Sequence, residues 1–204
     1  MKRFKKDKLP AHLAEDLPLG KQFLIFGWEV FKVVVISLVI ILPVRYFLIK
    51  PFYVKGASME PNFYDRQYLI IDEISYRFSE PQRGDPVVFK FPLDPSQYFI
   101  KRIIGLPGES IRISDGQVIV ANAENPKGVV LEESYLDPNL RTKGDVEVTL
   151  GENEYYLLGD NRDASLDSRI FGPVNRPFIV GKTLLRGWPI DQFGIINSKV
   201  EYNL

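Results

Sequence analysis

The apolar run VFKVVVISLVIILPVRYFLI, from Val30 to Ile49, decides the architecture of this chain. About 20 predominantly apolar residues are enough for a helix to cross the hydrocarbon core of a bilayer. Lys32 and Arg45 flank the purest part of the run and can extend toward the lipid head groups. Pro43 is tolerated, because membrane helices accept proline. The run therefore predicts a transmembrane helix over residues 30–49.

Two other interpretations of this run are open to argument. It could be the buried core helix of a globular protein, but the rest of the chain is not hydrophobic enough to surround it. It could also be a cleaved signal peptide, since the chain begins with basic residues. However, the apolar part is long for a signal peptide, and no Ala-x-Ala site follows it. We therefore expect an uncleaved anchor.

Residues 1–29 form a polar tail with basic side chains clustered at its start, and Phe23–Trp28 is a short apolar stretch expected at the membrane interface. Clustered Lys and Arg stay on the cytoplasmic side of a membrane. The sequence thus predicts a cytoplasmic tail and an extracytoplasmic domain over residues 50–204. The expected location is the plasma membrane, with a thylakoid or other membrane left open.

The composition limits the chemistry of the folded part. The chain has 204 residues with 26 basic and 26 acidic side chains, and this neutral balance argues against a nucleic-acid partner. It has no cysteine, which excludes thiolate nucleophiles and cysteine metal sites. Its one histidine, His12, precedes the predicted membrane helix, so a Ser–His–Asp triad and a histidine zinc site are excluded beyond it. A serine nucleophile would need another base, and lysine is the main candidate.

After Pro61 the sequence changes to short apolar runs separated by turn residues, which predicts a single, largely antiparallel β domain. Residues 121–144 are irregular and polar, and they indicate a surface excursion. Further short strands are expected after Phe178, and Arg83-Gly84-Asp85 is expected to be a plain turn rather than an integrin-binding motif. The other predicted strands are Tyr68–Asp72, Val87–Phe91, Tyr98–Ile104, Ser110–Ile113, Gln117–Val120, Glu147–Leu150 and Glu154–Leu158.

Ser58 and Lys101 are the candidate reactive residues. Ser58 lies in KGASMEP, directly after the anchor, and is therefore poised at a membrane surface. Lys101 lies in the apolar strand YFIKRII, where alternation places it on the face of Phe99 and Ile103. A lysine normally titrates near 10.4, and burial can lower its pKa so that it acts as a base. The alternative is a lysine that extends into solvent at a strand edge.

The loop GDNRDASLDSR, from Gly159 to Arg169, is dense in Asp, Arg and Ser side chains. It does not fit a calcium loop, because an EF-hand that started at Asp163 would need glycine at Ser168. Its hydroxyls could orient a neutral lysine, while Asp–Arg pairs fix the backbone.

Four ordered blocks of this sequence resemble the type I signal peptidases, which are membrane-anchored serine proteases that remove signal peptides. The blocks are FYVKGASMEP, RGDPVVFKFP, FIKRIIGLPGE and GDNRDASLDSRIFGPV. The resemblance implies a largely antiparallel β domain of the signal-peptidase and LexA-like type, whose apolar rim meets the membrane. It also implies a nucleophile at Ser58, a general base at Lys101 and a lysine-orienting hydroxyl at Ser165.

By the same resemblance, Asp160, Asp167 and Arg169 support the site without performing chemistry. The implied substrate pockets are lined by Phe52, Val54, Met59, Phe63, Leu69, Val88, Phe99 and Ile100.

The sequence departs from the family pattern at two positions. Some members carry a serine where this chain has Gly56, and that hydroxyl helps to hold the oxyanion. The Ser58 backbone N–H remains as one donor, and we expect a backbone group or water to supply the second, since losing a donor costs about 100- to 1,000-fold in rate. Ala164 stands where asparagine is frequent, and we expect this change to tune the wall near Lys101.

The resemblance implies removal of signal peptides from exported preproteins by a Ser/Lys dyad, through an acyl-enzyme and without a metal or organic cofactor. The implied partners are preproteins with small residues before the cleavage site and the lipid bilayer. One alternative is a LexA-like self-cleaving Ser/Lys protease, but this would need an amino-terminal DNA-binding unit in place of the membrane helix. The other is a non-catalytic β adaptor tethered to the membrane.

Overall fold

The structure is a computed structural model that describes residues 18–43, 50–196, 200 and 202–204. The chain divides into two compact units, Met1–Tyr46 and Phe47–Leu204. The basic cluster of the tail, His12, and residues 44–49 of the predicted membrane helix lie outside the described residues.

Helix α1 occupies Leu19–Pro43, so it begins earlier than the predicted start at Val30. Phe23–Trp28, which was expected at the membrane interface, lies inside this helix because its apolar residues continue the same hydrophobic run. The 25 residues span about 37 Å, enough to cross a bilayer. Its large apolar side chains are exposed, and length and composition make Leu19–Leu42 a candidate membrane span.

The described part of the second unit contains twelve strands, numbered here in chain order. They are β1 (Lys50–Tyr53), β2 (Tyr68–Asp72), β3 (Pro86–Phe91), β4 (Asp94–Gly105), β5 (Ser110–Ser114), β6 (Gln117–Ala121), β7 (Val129–Val130), β8 (Val146–Thr149), β9 (Glu154–Leu158), β10 (Val174–Asn175), β11 (Ile179–Trp188) and β12 (Gly194–Ile195). A short helix, α2, covers Ser168–Phe171.

The strands form two sheets with antiparallel pairing throughout the described residues. The larger sheet has eight strands in the order β1-β2-β11-β3-β4-β9-β10, and β12 pairs with β11. The smaller sheet has the order β7-β6-β5-β8. The predicted fold class, mainly antiparallel β with one amino-terminal apolar helix, is therefore confirmed.

Two strands are longer than the sequence pattern predicts by several residues. β4 extends to Asp94–Gly105 because its first residues form a hairpin with the end of β3. β11 runs over ten residues where only short strands were expected. It lies between β2 and β3 in the larger sheet, so that neighbours pair with both of its edges and extend it.

β4 positions the site because it contributes to three separate clusters of buried apolar side chains. Ile104 packs with the smaller sheet, Ile103 packs with the Phe89 side of the larger sheet, and Ile100 packs with residues around Met59. Both faces of its second half are therefore covered. Side chains that point to either face of this strand are removed from water.

The Arg83-Gly84-Asp85 tripeptide is a turn, but it is not displayed to solvent. The Asp85 carboxylate is 5% exposed and accepts a 2.7 Å hydrogen bond from the Tyr76 hydroxyl. A buried aspartate of this kind supports the turn and cannot reach a receptor.

Candidate active site

Ser58 lies in the loop that connects β1 to β2, which we call the serine turn (residues 54–67). Its neck is closed by backbone hydrogen bonds from Val54 N–H to Gln67 O (2.9 Å) and from Arg66 N–H to Val54 O (3.0 Å). Met59 and Phe63 are 1% and 2% exposed and anchor the turn in an apolar cluster. The buried neighbours fix the backbone around Ser58, whose own side chain is only partly buried.

Lys101 projects from β4 toward this turn. Its Nζ atom lies 2.6 Å from Ser58 Oγ and 2.8 Å from the carbonyl oxygen of Ile100. The side chain is only 3% exposed, and the Phe99 ring centroid is 5.7 Å from Nζ. The alternative interpretation of this strand required a lysine that extends into solvent. The burial of Lys101 contradicts that interpretation.

Burial changes the titration of Lys101. Removal of the ammonium from water lowers its pKa from 10.5 to about 8, although the carboxylates of Asp167 and Asp160 act in the opposite direction. A useful fraction of the amine is therefore neutral near physiological pH. The nitrogen lone pair of that form can accept the proton of the Ser58 hydroxyl across the 2.6 Å contact.

The polar loop, residues 159–169, holds the serine turn by hydrogen bonds to its backbone. Asn161 N–H donates to Ser58 O (3.1 Å), and Asn161 Nδ2 donates to Ala57 O (3.0 Å). Gly159 approaches so closely that an added Cβ would lie 2.5 Å from Ser58 O and 2.1 Å from Ser165 Oγ. Sequence reasoning did not single out Asn161. The density of side-chain donors in its loop was the available signal.

Asp167 and Arg169 fix the far end of this loop. The guanidinium of Arg169 binds the Asp167 carboxylate with two 2.8 Å hydrogen bonds, and Gly159 N–H donates to the same carboxylate at 3.1 Å. Burial alone would raise the pKa of Asp167, but Arg169 and these donors hold it below the ordinary 3.8. The carboxylate is fully buried and also caps α2.

Asp160 pairs with Arg102, the strand neighbour of Lys101. The two side chains share hydrogen bonds of 2.9 and 2.6 Å and are 1% and 5% exposed. Asn62 Nδ2 donates to the same aspartate at 2.9 Å. Sequence reasoning did not single out Arg102 or Asn62. Strand alternation could have identified Arg102, because it places the two cations of β4 on opposite faces.

Ser165 lies within the site but does not bond to the lysine. Its Oγ atom is buried and has no hydrogen-bond partner among the described residues. The hydroxyl lies close enough to the Asp167 carboxylate to help lower its pKa, although the pair does not meet hydrogen-bond geometry. The predicted lysine-orienting contact is therefore not formed in this structure.

A cavity of about 650 Å³ opens over Ser58 and Lys101. Three of the eight predicted pocket residues line it: Phe52, Phe99 and Ile100. The other five are at most 2% exposed and belong to the apolar cluster that includes Ile100, with Val88 also lining a second cavity: Val54, Met59, Phe63, Leu69 and Val88. Three apolar side chains from the two loops also line it, namely Ala57, Ala164 and Leu166. Polar, charged and aromatic residues form the rest of the wall: Tyr53, Lys55, Ser96, Gln97 and Tyr98.

Gly56, where some family members have serine, also lines this cavity. Its φ of +87° lies in the left-handed region, which glycine adopts readily. Its N–H donates to Asp65 Oδ1 at 2.8 Å and is therefore already engaged.

Comparison with known proteins identifies the family of this chain. The family model described as signal peptidase, peptidase S26, matches residues 27–188. The chain belongs to the signal peptidase family. That match includes both reactive candidates, the polar loop and most of α1.

Relatives of this family cover most of the chain. A probable signal peptidase I-2 of Synechocystis sp. is 37% identical over 180 residues, which is 85% of this chain and 78% of that protein. A signal peptidase I of Leptolyngbya laminosa is 33% identical over 201 residues, or 95% and 94% of the two chains. A crystal structure of a signal peptidase I from Enterococcus faecalis V583 shares 32% identity, with a TM-score of 0.43 over 51% of this chain and 97% of that one.

Proposed function

We propose that this chain is a serine endopeptidase that removes amino-terminal signal peptides from exported preproteins at a membrane surface. Ser58 is the nucleophile and Lys101 is the general base. The observation that carries the proposal is the 2.6 Å contact between Lys101 Nζ and Ser58 Oγ, on a lysine that burial brings to a pKa of about 8. Membership of the signal peptidase family supports the substrate class.

In the acylation step, neutral Lys101 accepts the hydroxyl proton as Ser58 Oγ attacks the carbonyl carbon of the scissile bond. The resulting ammonium then donates that proton to the departing amine. The mature protein leaves with a free amino terminus, and the signal peptide remains as an ester on Ser58.

In deacylation, water is the attacking group and Ser58 is the leaving group. Lys101, neutral again, accepts a proton from a water molecule that attacks the ester carbonyl. Ser58 leaves with the proton returned from the lysine, and the signal peptide is released with a carboxyl group. Both steps use the same two atoms, so that a single short Ser58–Lys101 contact serves the whole cycle.

The negative charge on the tetrahedral intermediate needs nearby hydrogen-bond donors. The Ser58 backbone N–H is the proposed first donor. Gly56 has no hydroxyl, and its own N–H is directed to Asp65, so the second donor must be another backbone group or water.

The supporting residues act by holding the backbone around these atoms. Asp160 neutralises Arg102 beside Lys101, while Asp167 and Arg169 fix the polar loop that contacts Ser58 O. We assign Ser165 to orientation of the lysine during the reaction, since its hydroxyl is buried in the site and forms no complete hydrogen bond among the described residues.

The cavity wall can accept apolar side chains before the scissile bond. Phe52, Phe99 and Ile100 contribute apolar surface to it. The expectation of small residues at the end of the signal peptide, of the Ala-x-Ala kind, comes from the family. The five predicted pocket residues that lie in the core would support this wall from behind.

The test is cleavage of a preprotein by the full chain purified in detergent. Ser58→Ala and Lys101→Ala are each expected to lower the rate by at least about 1,000-fold while the β domain stays folded. Ser79→Ala and Lys90→Ala are matched controls, because both side chains are exposed and neither lines the cavity over the dyad. Near-normal cleavage by either dyad variant would refute the assignment.

The same experiment separates the two alternatives. A non-catalytic adaptor would leave the preprotein uncut. A self-cleaving protease would cut its own chain and spare the preprotein. The burial of Lys101 against Ser58 argues against the adaptor, which requires a lysine that merely extends into solvent.

The proposed topology places the tail before Leu19 in the cytoplasm, because α1 begins there rather than at Val30, and places the β domain outside the plasma membrane. It rests on the basic cluster at the amino terminus and on α1, which can span a bilayer. Protease added outside sealed cells should digest the β domain and spare an epitope placed before Leu19. Digestion of that epitope alone would reverse the orientation.

A further inference from the structure

The excursion over residues 121–144 reaches the interior of the β domain through the segment Glu133–Tyr135, which we call the strap. The Tyr135 ring stacks over the Arg102 guanidinium, with 4.0 Å between the guanidinium carbon and the ring centroid. The Tyr135 hydroxyl donates to Glu133 Oε1 at 2.5 Å. Two side chains of the strap thus support each other beneath the surface.

Glu133 forms an ion pair with a guanidinium of the polar loop, that of Arg162. The Arg162 side chain is completely buried, and Glu133 is 12% exposed. Arg162 also donates to Gly159 O (3.0 Å) and to Thr142 Oγ1, a second group from the excursion. A buried guanidinium needs such partners because it has lost its hydration. The excursion therefore supplies the carboxylate that keeps Arg162 inside the polar loop.

The strap also contacts the serine turn directly. Asn62 Nδ2 donates both to Tyr135 O (3.1 Å) and to Asp160 Oδ2 (2.9 Å). Asn62 follows Ser58 by four positions in the serine turn. Its one amide group therefore joins the strap, the serine turn and the polar loop.

These contacts converge on the two segments that fix Ser58. Asn161, which lies between Asp160 and Arg162 in sequence, holds Ser58 O and Ala57 O. Both of its neighbours are in turn bound through the strap, Asp160 by way of Asn62 and Arg162 by Glu133. A shift of the strap would therefore be transmitted to Ser58 from two sides.

We propose that Glu133 and Tyr135 are positioning residues for the nucleophile, and that the excursion exists to hold the serine turn and the polar loop in register. This inference rests on the proposed function of Ser58. A displacement of about 1 Å can cost about 100-fold in rate even when the chemical groups remain. Loss of the strap contacts should therefore lower kcat while substrate binding in the cavity changes little.

The first experiment compares two substitutions that differ by one position. Glu133→Gln removes the carboxylate from Arg162, and Glu132→Gln makes the same chemical change on an exposed neighbouring side chain. With a peptide that spans a preprotein cleavage site, Glu133→Gln is expected to lower kcat 10- to 100-fold and change KM less than threefold. Glu132→Gln should match the unmodified chain.

At Tyr135, two substitutions remove different parts of the side chain. Tyr135→Leu removes the ring from Arg102 and should lower kcat at least 10-fold. Tyr135→Phe keeps the ring and loses the hydroxyl, which donates to Glu133 and accepts a long 3.4 Å bond from Arg162, so it should retain at least a third of kcat. Equal kcat values for these two variants, measured well below their melting temperatures, would exclude a positioning role for the ring.

A structural role alone predicts a different result for the strap. If Glu133→Gln and Tyr135→Leu lower the melting temperature but leave kcat unchanged at a temperature where both are folded, the proposal is wrong.

Asn62→Ala tests whether the effect of the strap is transmitted through Asn62. Its effect on kcat should not add to that of Tyr135→Leu, because loss of the ring releases the strap backbone that carries Tyr135 O, the acceptor of the Asn62 bond, so both changes weaken the same connection. Full additivity would contradict transmission through Asn62.

Amide hydrogen exchange tests this proposal independently of the proposed function. Loss of the strap should expose the N–H groups of Asn161 and Phe63, which bond to Ser58 O and Met59 O, while the β5–β6 hairpin stays protected. Local loss of protection supports the strap even if no preprotein is cleaved. Unchanged protection at both amides would overturn it even if the chain is an active peptidase.

Discussion

Lys101 Nζ lies 2.6 Å from Ser58 Oγ, although the two residues are 43 positions apart in sequence. The amine is on a buried strand and the hydroxyl is on the turn that follows β1. Each is held by groups of its own, the lysine by apolar burial and the serine by the polar loop. Their contact therefore depends on the tertiary structure at several points, each of which can be altered separately.

The rate of cleavage should depend on pH through Lys101. Because burial lowers its pKa to about 8, the neutral base is the minor form at pH 7 and the major form above pH 8. We expect kcat/KM to rise about tenfold per pH unit below 8 and to level off above it. A peptide substrate without groups that titrate between pH 6 and 10 gives the profile. A rise in kcat/KM centred above pH 10 would show that burial does not lower the pKa of the base.

Replacement of the base by an apolar residue should stabilise the fold. The difference between a pKa of 10.5 and about 8 corresponds to about 3 kcal/mol against the protonated lysine at pH 7. Lys101→Met removes that cost but also the hydrogen bonds to Ile100 O and Ser58 Oγ, worth about 1 kcal/mol each. We expect an inactive enzyme that is more stable by about 1 kcal/mol, measured as a higher melting temperature in detergent.

This stability difference should vary with pH in a defined direction. Between pH 8 and 10.5 the unfolded chain keeps the lysine proton and the folded chain loses it, so the unmodified protein gains stability as pH rises. The advantage of Lys101→Met should therefore be complete below pH 8 and decline above it. Lys90→Met, on the exposed side of β3, provides the control. An advantage that grew above pH 8 would contradict the assignment.

Gly159→Ala should disable the site through a backbone clash. The new methyl group would lie 2.5 Å from Ser58 O, which must then move away from Asn161. We expect kcat to fall about 100-fold or more. Gly187→Ala is the matched control, since the nearest atom to its added Cβ is 3.7 Å away. Normal kcat in Gly159→Ala would show that the position of Ser58 O is not critical.

Ser165→Ala tests the residue whose predicted contact is not formed. Its hydroxyl is buried without a partner, so its loss should not lower the melting temperature. If the hydroxyl orients Lys101 during the reaction, kcat should fall about tenfold or more. Ser168→Ala should behave in the opposite way, because Ser168 Oγ accepts a hydrogen bond from Leu157 N–H and supports the fold. An unchanged kcat in Ser165→Ala would remove this serine from the mechanism.

Local pattern was sufficient for much of the fold. Tyr68–Asp72 and Glu154–Leu158 were predicted with the bounds that they have, because short apolar runs between turn residues favour a strand. The start of α1 was missed, since Gly27 and Glu29 interrupt the apolar run without stopping a helix. The length of β11 was missed because it depends on partners that pair with both of its edges.

The sequence by itself determined the membrane-length helix, the β class and the two reactive candidates. The absence of histidine after that helix and the presence of a lysine in an apolar strand are both visible in the sequence without the fold. The sequence did not determine which cation of β4 would be buried. The tertiary structure buries both, Lys101 against Ser58 and Arg102 against Asp160, since apolar clusters cover each face. The connections of Glu133 and Asn62 to the site belong to the fold alone, because their partners come from segments far apart in the chain.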